Sequence, residues 1–155
     1  MAPSIIQQTL IDRAAISDVI IAYARAVDTR DWDLFLSLFT ERVFLDFRSF
    51  DPSVHYEVDA TELLAMSRRA EAFDATQHIS ANHAHSIEGD RAICTSYMQA
   101  AHFLTRPDGN HSCILYGQYS HSLIRTERSW KIDRYSLAVW AQQGEPRVFE
   151  WAGYM

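Results

Sequence analysis

Cysteine is scarce in this chain, which has two among its 155 residues. Cys94 and Cys113 are too few for a disulfide framework, and they do not form a C-x-x-C pair. A scaffold that depends on disulfides is therefore excluded. We expect both thiols to be reduced, as is typical of a cytoplasmic protein.

Positive charge is also in short supply. The formal net charge is −6, and Lys and Arg residues nowhere form a run. Nucleic acid and anionic membrane surfaces are therefore poor candidate partners. Residues 1–10 lack the basic and apolar regions of a signal peptide, and no apolar run has the length of a membrane span. We expect a cytoplasmic protein that binds neither nucleic acid nor membrane.

Motifs for nucleotides and for hydrolase triads are missing as well. The chain has no Gly-rich phosphate loop and no G-x-S-x-G segment. What it does have is 48% hydrophobic and 12% aromatic residues, in a length typical of one domain. We predict a single domain over residues 1–155, with a sizeable core and enough aromatic side chains to line a pocket.

The first half of the chain has the periodicity of helices. Apolar residues recur at helical spacing and predict one long amphipathic helix with this buried stripe: Ile6, Leu10, Ala14, Val19, Ile20, Tyr23 and Val27. Asp28 or Thr29 then stands where an N-cap would begin a second helix, whose buried face starts at Trp32. Residues 59–62 form a capping-box pattern that predicts a third helix. Its apolar face comprises Leu63, Met66, Ala70 and Phe73.

The second half reads as strands separated by turn signals. Residues 43–47 are a candidate short strand, and longer strands are predicted near 78–87, 91–106, 111–125 and 130–141. Consecutive strands with tight turns imply an antiparallel meander. The predicted fold class is α+β, with three N-terminal helices packed on a curved antiparallel sheet to make an open cone. The aromatic tail, 146–155, should pack over the mouth of the cone or against another subunit.

Two short segments suggest chemistry. Asp28 ends the segment YARAVD of residues 23–28, and His78 stands in TQHISAN of residues 76–82. A carboxylate that fixes the tautomer of an imidazole makes a general base that needs neither metal nor organic cofactor. The segments resemble the SnoaL-like branch of the nuclear transport factor 2-like superfamily, which includes scytalone dehydratase, hexachlorocyclohexane dehydrochlorinase and bile-acid 7α-dehydratase.

The resemblance implies a cone-shaped fold and a cofactor-independent lyase or isomerase that acts on a small, largely apolar or aromatic substrate. Asp28 and His78 would be the acid–base pair, and the Tyr23 phenol would bond a carbonyl or a leaving hydroxyl. It also implies a homo-oligomer, either a dimer or a trimer. Alternatives are an Asp28 that only caps a helix and a Tyr23 that only belongs to the helix stripe. The alternative functions are a non-catalytic ligand-binding or subunit-interaction domain, a polyketide cyclase and an epoxide hydrolase.

The alternation of side chains along a strand predicts which residues near His78 share its face. If His78 lines the cone, Asn82 joins it, whereas His83 and His85 point away together with Ile79 and Ala81. His102 and Tyr116 lie on the middle strands, where scytalone dehydratase has a second histidine, but our alignment leaves no histidine at that position. The predicted substrate-binding residues are Trp32, Phe47, Tyr56, Met66, Asn82, His102, Tyr116 and Trp140.

We predict no metal site. His83, His85 and Glu88 resemble the metal ligands of a cupin, but the Glu comes one residue too early and the strands are too few for a jelly roll.

Overall fold

The computed structural model describes residues 4–154, and its first element is a 25-residue helix, α1 (Ile5–Thr29). Ser4 begins it with a reciprocal capping box, in which its hydroxyl accepts from the Gln7 amide while the Gln7 side chain accepts from the Ser4 amide. Arg30 ends it in the left-handed conformation, with φ of 61°.

The buried stripe of α1 differs from the predicted one near its start. Ile6 and Leu10 are exposed, and the stripe begins instead at Asp12, followed by Ile16 and Ile20. The buried Asp12 carboxylate is bound by both terminal nitrogens of Arg125, at 2.7 Å each. The predicted stripe was wrong at its start because the pattern counts only apolar residues, whereas the first buried residue of the helix is the charged Asp12.

Two short helices follow α1. The second, α2 (Trp32–Ser37), is capped by Asp31, whose carboxylate accepts from the Leu34 amide. The prediction that Asp28 or Thr29 caps this helix is therefore wrong, because both residues belong to the last turn of α1. The third, α3 (Ala60–Ser67), begins at the predicted cap, Asp59. A 3-10 segment, Arg68–Ala72, continues it, so the predicted helix face breaks before Phe73.

Among the described residues, six strands form one sheet. They are β1 (Phe39–Asp46), β2 (His55–Asp59), β3 (Ala75–Glu88), β4 (Arg91–Arg106), β5 (Gly109–Arg125) and β6 (Trp130–Gly144). Their order is β2-β1-β6-β5-β4-β3, with β3 to β6 forming the predicted meander. The α+β class and the curved sheet are confirmed.

The sheet also contains features that the sequence did not predict. β1 pairs with β6 in parallel, and the long connection that such a pair needs is supplied by the elements from β2 to β5. β2 was missed, and it pairs antiparallel with β1. A fourth helix, α4 (Arg147–Trp151), follows β6 and buries Val148 and Phe149, so the tail packs as expected. Among residues 4–154, no helix is both long enough and apolar enough to cross a membrane.

Candidate functional site

Asp28 and His78 are in direct contact at the inner face of the sheet. The Asp28 Oδ1 atom lies 2.6 Å from His78 Nδ1, and Asp28 Oδ2 accepts a 2.7 Å hydrogen bond from the backbone N–H of His78. The Thr76 hydroxyl donates a third hydrogen bond, of 2.9 Å, to Oδ1. The last turn of α1 thus presents a carboxylate to β3, and three hydrogen bonds fix its orientation.

The same contacts keep the Asp28 carboxylate ionised. Burial raises the pKa of the Asp28 carboxyl, but the hydrogen bonds from the ring and backbone of His78 outweigh burial, so the pKa lies below its usual value. Arg30 supports this arrangement from the C-cap of α1, because its guanidinium donates to the Val27 carbonyl at 2.7 Å and to the Thr76 hydroxyl at 3.0 Å. Sequence reasoning missed both Arg30 and Thr76.

His78 lines a cavity of about 150 Å³ between the sheet and the helices. Its side chain is only 9% exposed, and its Nε2 atom has no hydrogen-bond partner within residues 4–154. With the Nδ1 proton donated to Asp28, Nε2 carries the lone pair. The ring can therefore accept a proton from a molecule held in the cavity.

His102 lies beside His78 in the same cavity, with the two ring centroids 5.6 Å apart. Burial, together with a smaller effect of the nearby His78, lowers the pKa of His102 to about 3, so the ring is neutral at physiological pH. A neutral imidazole can donate one N–H to a substrate oxygen. His102 therefore lines the cavity next to His78, whereas its correspondence to the second histidine of scytalone dehydratase stays outside what the geometry tests.

Tyr23 belongs to the buried stripe of α1, as one interpretation of the sequence had it, and it also lines the cavity. Its hydrogen bond to a substrate stays a prediction. Its hydroxyl lies 2.6 Å from the hydroxyl of Tyr135. Burial raises the pKa of the Tyr23 phenol far above its usual value, which keeps it protonated and able to donate. Tyr119 and Tyr135 line the cavity too, and sequence reasoning missed both. Their inward direction on β5 and β6 was the available signal.

Three of the predicted substrate-binding residues, Phe47, Met66 and His102, line the cavity. Trp32 does not, because its indole N–H donates to Glu71 at 2.7 Å on the outside of the helices. Tyr56 lies on the edge strand β2 and is 40% exposed. The edge position of β2 explains the exposure of Tyr56, because an edge strand has solvent on the side away from the core.

Tyr116 and Trp140 lie outside the cavity as well. Leu115 lines the cavity, so its neighbour Tyr116 points to the opposite face, where its hydroxyl meets Gln143 at 3.2 Å. Trp140 is 59% exposed and packs edge-on against Tyr97 on the outer face of the sheet. Aromatic character alone could not distinguish the two faces of the sheet.

Asn82 overturns the alternation predicted for β3. It adopts a left-handed conformation, with φ of 55°, at a bulge between Ala81 and Ala84, and its side chain is exposed. The extra residue reverses the alternation, so His83 and His85 turn to the same side as His78. Ile79 faces outward as predicted, since it lies before the bulge.

The C-terminal segment completes the cavity. Phe149 of α4 packs edge-on against His102, with 4.7 Å between ring centroids, and Tyr154 lies against Phe73. Phe149 and Tyr154 both line the cavity, which favours the first of the two predicted positions of the tail, over the mouth of the cone.

Comparison with known proteins agrees with this architecture. Residues 8–136 match the sequence profile of the SnoaL-like domain. The chain belongs to the SnoaL-like family. This confirms the resemblance drawn from the segments around Asp28 and His78. No curated protein sequence matches the chain.

Several solved structures are similar to this SnoaL-like chain. The Kfla4162 protein of Kribbella flavida is 27% identical, with a TM-score of 0.83 over 87% of this chain and 95% of that one. A candidate aromatic ring hydroxylase of Novosphingobium aromaticivorans is 28% identical, with a TM-score of 0.77 over 98% and 99% of the two chains. A candidate scytalone dehydratase of the same organism shares the fold at 20% identity, with a TM-score of 0.72 over 88% and 89%.

Proposed function

We propose that this SnoaL-like protein is a cofactor-independent lyase of the dehydratase type, or an isomerase, that uses His78 as general base and Asp28 as its positioning partner. The 2.6 Å contact between the two side chains, at a cavity that His78 lines, is the observation that carries the proposal. The partnerless Nε2 atom of His78 supports it, because a general base must offer a lone pair to the substrate.

In the proposed reaction, Nε2 takes a proton from a carbon next to a carbonyl group. The Asp28 carboxylate stabilises the imidazolium that results, since its charge is already fixed by three hydrogen bonds. In a dehydration, the carbon–oxygen bond then breaks, and the leaving hydroxyl takes the proton back from the His78 imidazolium and departs as water. In an isomerisation, the imidazolium returns its proton to another carbon.

Tyr23 and His102 are proposed to bind the oxygen atoms of the substrate. Both are neutral donors in the cavity, because burial raises the phenol pKa and lowers the imidazole pKa. Hydrogen bonds from such fixed donors stabilise the negative charge that develops on a carbonyl oxygen. Acid–base catalysis by one positioned group contributes about 10²–10⁴-fold, so positioning in the cavity has to supply the rest.

The cavity limits the proposed substrate. Its volume of about 150 Å³ and its mainly apolar walls suit a molecule built on one ring, since a dry apolar cavity of about this volume holds benzene in engineered proteins. The name of one structural relative, an aromatic ring hydroxylase, also concerns ring compounds. An open cavity at the Asp28–His78 pair favours an enzyme over a domain that only binds a subunit. We place its action in the cytoplasm and propose a homo-oligomer.

The test is proton exchange. Wild-type protein would be incubated in D₂O with a panel of single-ring ketones and β-hydroxy ketones, and deuterium uptake and water loss would be followed by NMR. We expect exchange at the carbon next to the carbonyl for at least one compound, and its loss in His78→Ala. His55→Ala, which alters a histidine that is 44% exposed, is the matched control and should keep the activity. Exchange that persists in His78→Ala would contradict the assignment of the base.

A further inference from the structure

A second group of ionisable side chains lies outside the cavity, between α1 and the sheet. His83 and His85 of β3 and Cys94 of β4 converge there, with their potential ligand atoms within 4.8 Å of one another. None of the three lines the cavity that holds His78. The proposed lyase chemistry therefore gives no account of this group.

The bulge at Asn82 assembles the group. With regular alternation His83 and His85 would face away from α1. The prediction of no metal site rested on rejecting a cupin site, because Glu88 comes one residue too early and the strands are too few for a jelly roll. After the bulge, both imidazoles point inward, and His85 pairs directly across the strands with Cys94. Side chains of residues paired in this way lie next to each other on one face of the sheet.

Some of the polar atoms of His83, His85 and Cys94 have no good hydrogen-bond partner among the described residues. The Ser17 hydroxyl of α1 lies 2.9 Å from His83 Nδ1 and 2.9 Å from His85 Nε2, so it bridges the two rings. His85 Nδ1 is buried with no partner among residues 4–154. The Cys94 thiol is fully buried, and within the described part of the chain its one hydrogen bond is a 3.9 Å contact with the Thr95 carbonyl. Buried nitrogen atoms without partners are rare in native proteins and call for an explanation.

A neighbouring histidine adds to this deficit. His121 of β5 pairs directly with Cys94 and is 0% exposed, and neither of its ring nitrogens has a partner within the described residues. His85, Cys94 and His121 thus form a row across three neighbouring strands. Among the described residues, these three side chains have more potential metal-binding atoms than hydrogen bonds. Burial also lowers the pKa values of His83 and His85, which keeps both rings in the neutral form that binds metals.

We propose that His83, His85 and Cys94 form a Zn²⁺ site that fastens β3 to β4 beneath α1. Two imidazoles and one thiolate are ligands that Zn²⁺ prefers, and they suit it better than Mg²⁺ or Ca²⁺, which take oxygen. In a tetrahedral site with bonds of about 2.0–2.3 Å, neighbouring ligand atoms lie roughly 3.3–3.8 Å apart. The observed convergence within 4.8 Å needs only small side-chain movements to reach that spacing. The Ser17 hydroxyl of α1 lies beside both imidazoles.

The test uses Co²⁺ as a spectroscopic substitute for Zn²⁺. The purified apo-protein would be titrated with Co²⁺ while its absorption spectrum is recorded, and Zn²⁺ would then be added as a competitor. We expect one equivalent to bind, with visible bands of a tetrahedral ion and a thiolate-to-cobalt charge-transfer band, and stoichiometric displacement by Zn²⁺. A wild-type protein that gives none of these signals would overturn the proposal.

Matched variants separate this site from general metal binding. Cys94→Ser should abolish the charge-transfer band, whereas Cys113→Ser, which alters the other buried cysteine, should keep it. His85→Gln should weaken Co²⁺ binding at least tenfold, and circular dichroism would establish that each variant is folded. Equal loss in Cys113→Ser, or a charge-transfer band that persists in Cys94→Ser, would overturn the site. Failure here would leave the deuterium-exchange test of His78 unaffected, because the two sites share no residue.

Discussion

Asp28 receives hydrogen bonds from three groups of β3, and each of them bears on the proposed proton transfer. The ring N–H of His78 fixes the tautomer, while the His78 backbone and the Thr76 hydroxyl fix the carboxylate. The role of a helix cap, which the sequence equally allowed, belongs to Asp31. A one-dimensional pattern could place Asp28 at the end of a helix, but it could not reveal which strand the carboxylate meets.

Replacing Asp28 with Asn should reduce turnover by about 10²–10⁴-fold. The amide cannot neutralise an imidazolium, and it can present its NH₂ group to Nδ1, which would place the proton on the wrong nitrogen. The measurement is the rate of deuterium exchange or water loss with the compound found for the wild type. Asp31→Asn is the control, because Asn caps a helix about as well as Asp and its rate should match the wild type. An active Asp28→Asn variant would refute the positioning role.

The same variant should change how stability depends on pH. Because the pKa of Asp28 is lower in the folded protein than in the unfolded chain, its contribution is fully present above the unfolded value of about 3.9. That contribution is lost as the pH falls through the folded pKa. We therefore expect the free energy of unfolding to fall more steeply on acidification below about pH 5 in the wild type than in Asp28→Asn. Urea titrations at several pH values measure this difference, and parallel curves would contradict it.

At the scale of elements, β3 decides which histidines share a face. Periodicity correctly predicted a strand around His78 and placed Ile79 on the opposite side. It failed after Asn82, because one residue in a left-handed conformation shifts the register and reverses every later side chain. Asn is among the residues that tolerate this conformation, but the sequence alone gave no reason to expect it inside a strand.

The bulge should make position 82 sensitive to the shape of the side chain. Asn82→Val should lower the free energy of unfolding by about 1–2 kcal/mol, because a β-branched residue is strained at φ of 55°. Asn82→Gly, which relieves that strain, should change stability by less than about 0.5 kcal/mol. Urea unfolding of both variants measures the difference. Equal stability of the two variants would show that the bulge is relaxed in solution.

At the scale of the whole molecule, the cavity is lined by residues that lie far apart in the sequence. Tyr23 and Val27 of α1 and Phe149 and Tyr154 of the tail all line it, although more than a hundred residues separate them in sequence. Helix and strand order predicted the cone, because each element follows from local periodicity. The walls were predicted only in part, since Tyr119 and Tyr135 were missed and Trp140 was placed on the wrong face. Which residues meet inside depends on curvature and register, and neither is encoded locally.

Phe149 provides the last test, because it joins the stability of the tail to the shape of the cavity. Its ring is 2% exposed and contacts His102, Phe50 and Phe73. Phe149→Ala should cost about 3–5 kcal/mol in urea unfolding, whereas Phe103→Ala on the outer face, where Phe103 is 41% exposed, should cost far less. The milder Phe149→Leu should stay folded and enlarge the space beside His102. We expect it to raise KM for single-ring substrates and to lower KM for compounds with an added methyl group, because the wall that fits the smaller ring has moved away. Unchanged KM values in Phe149→Leu would show that the tail covers the cavity without shaping the substrate site.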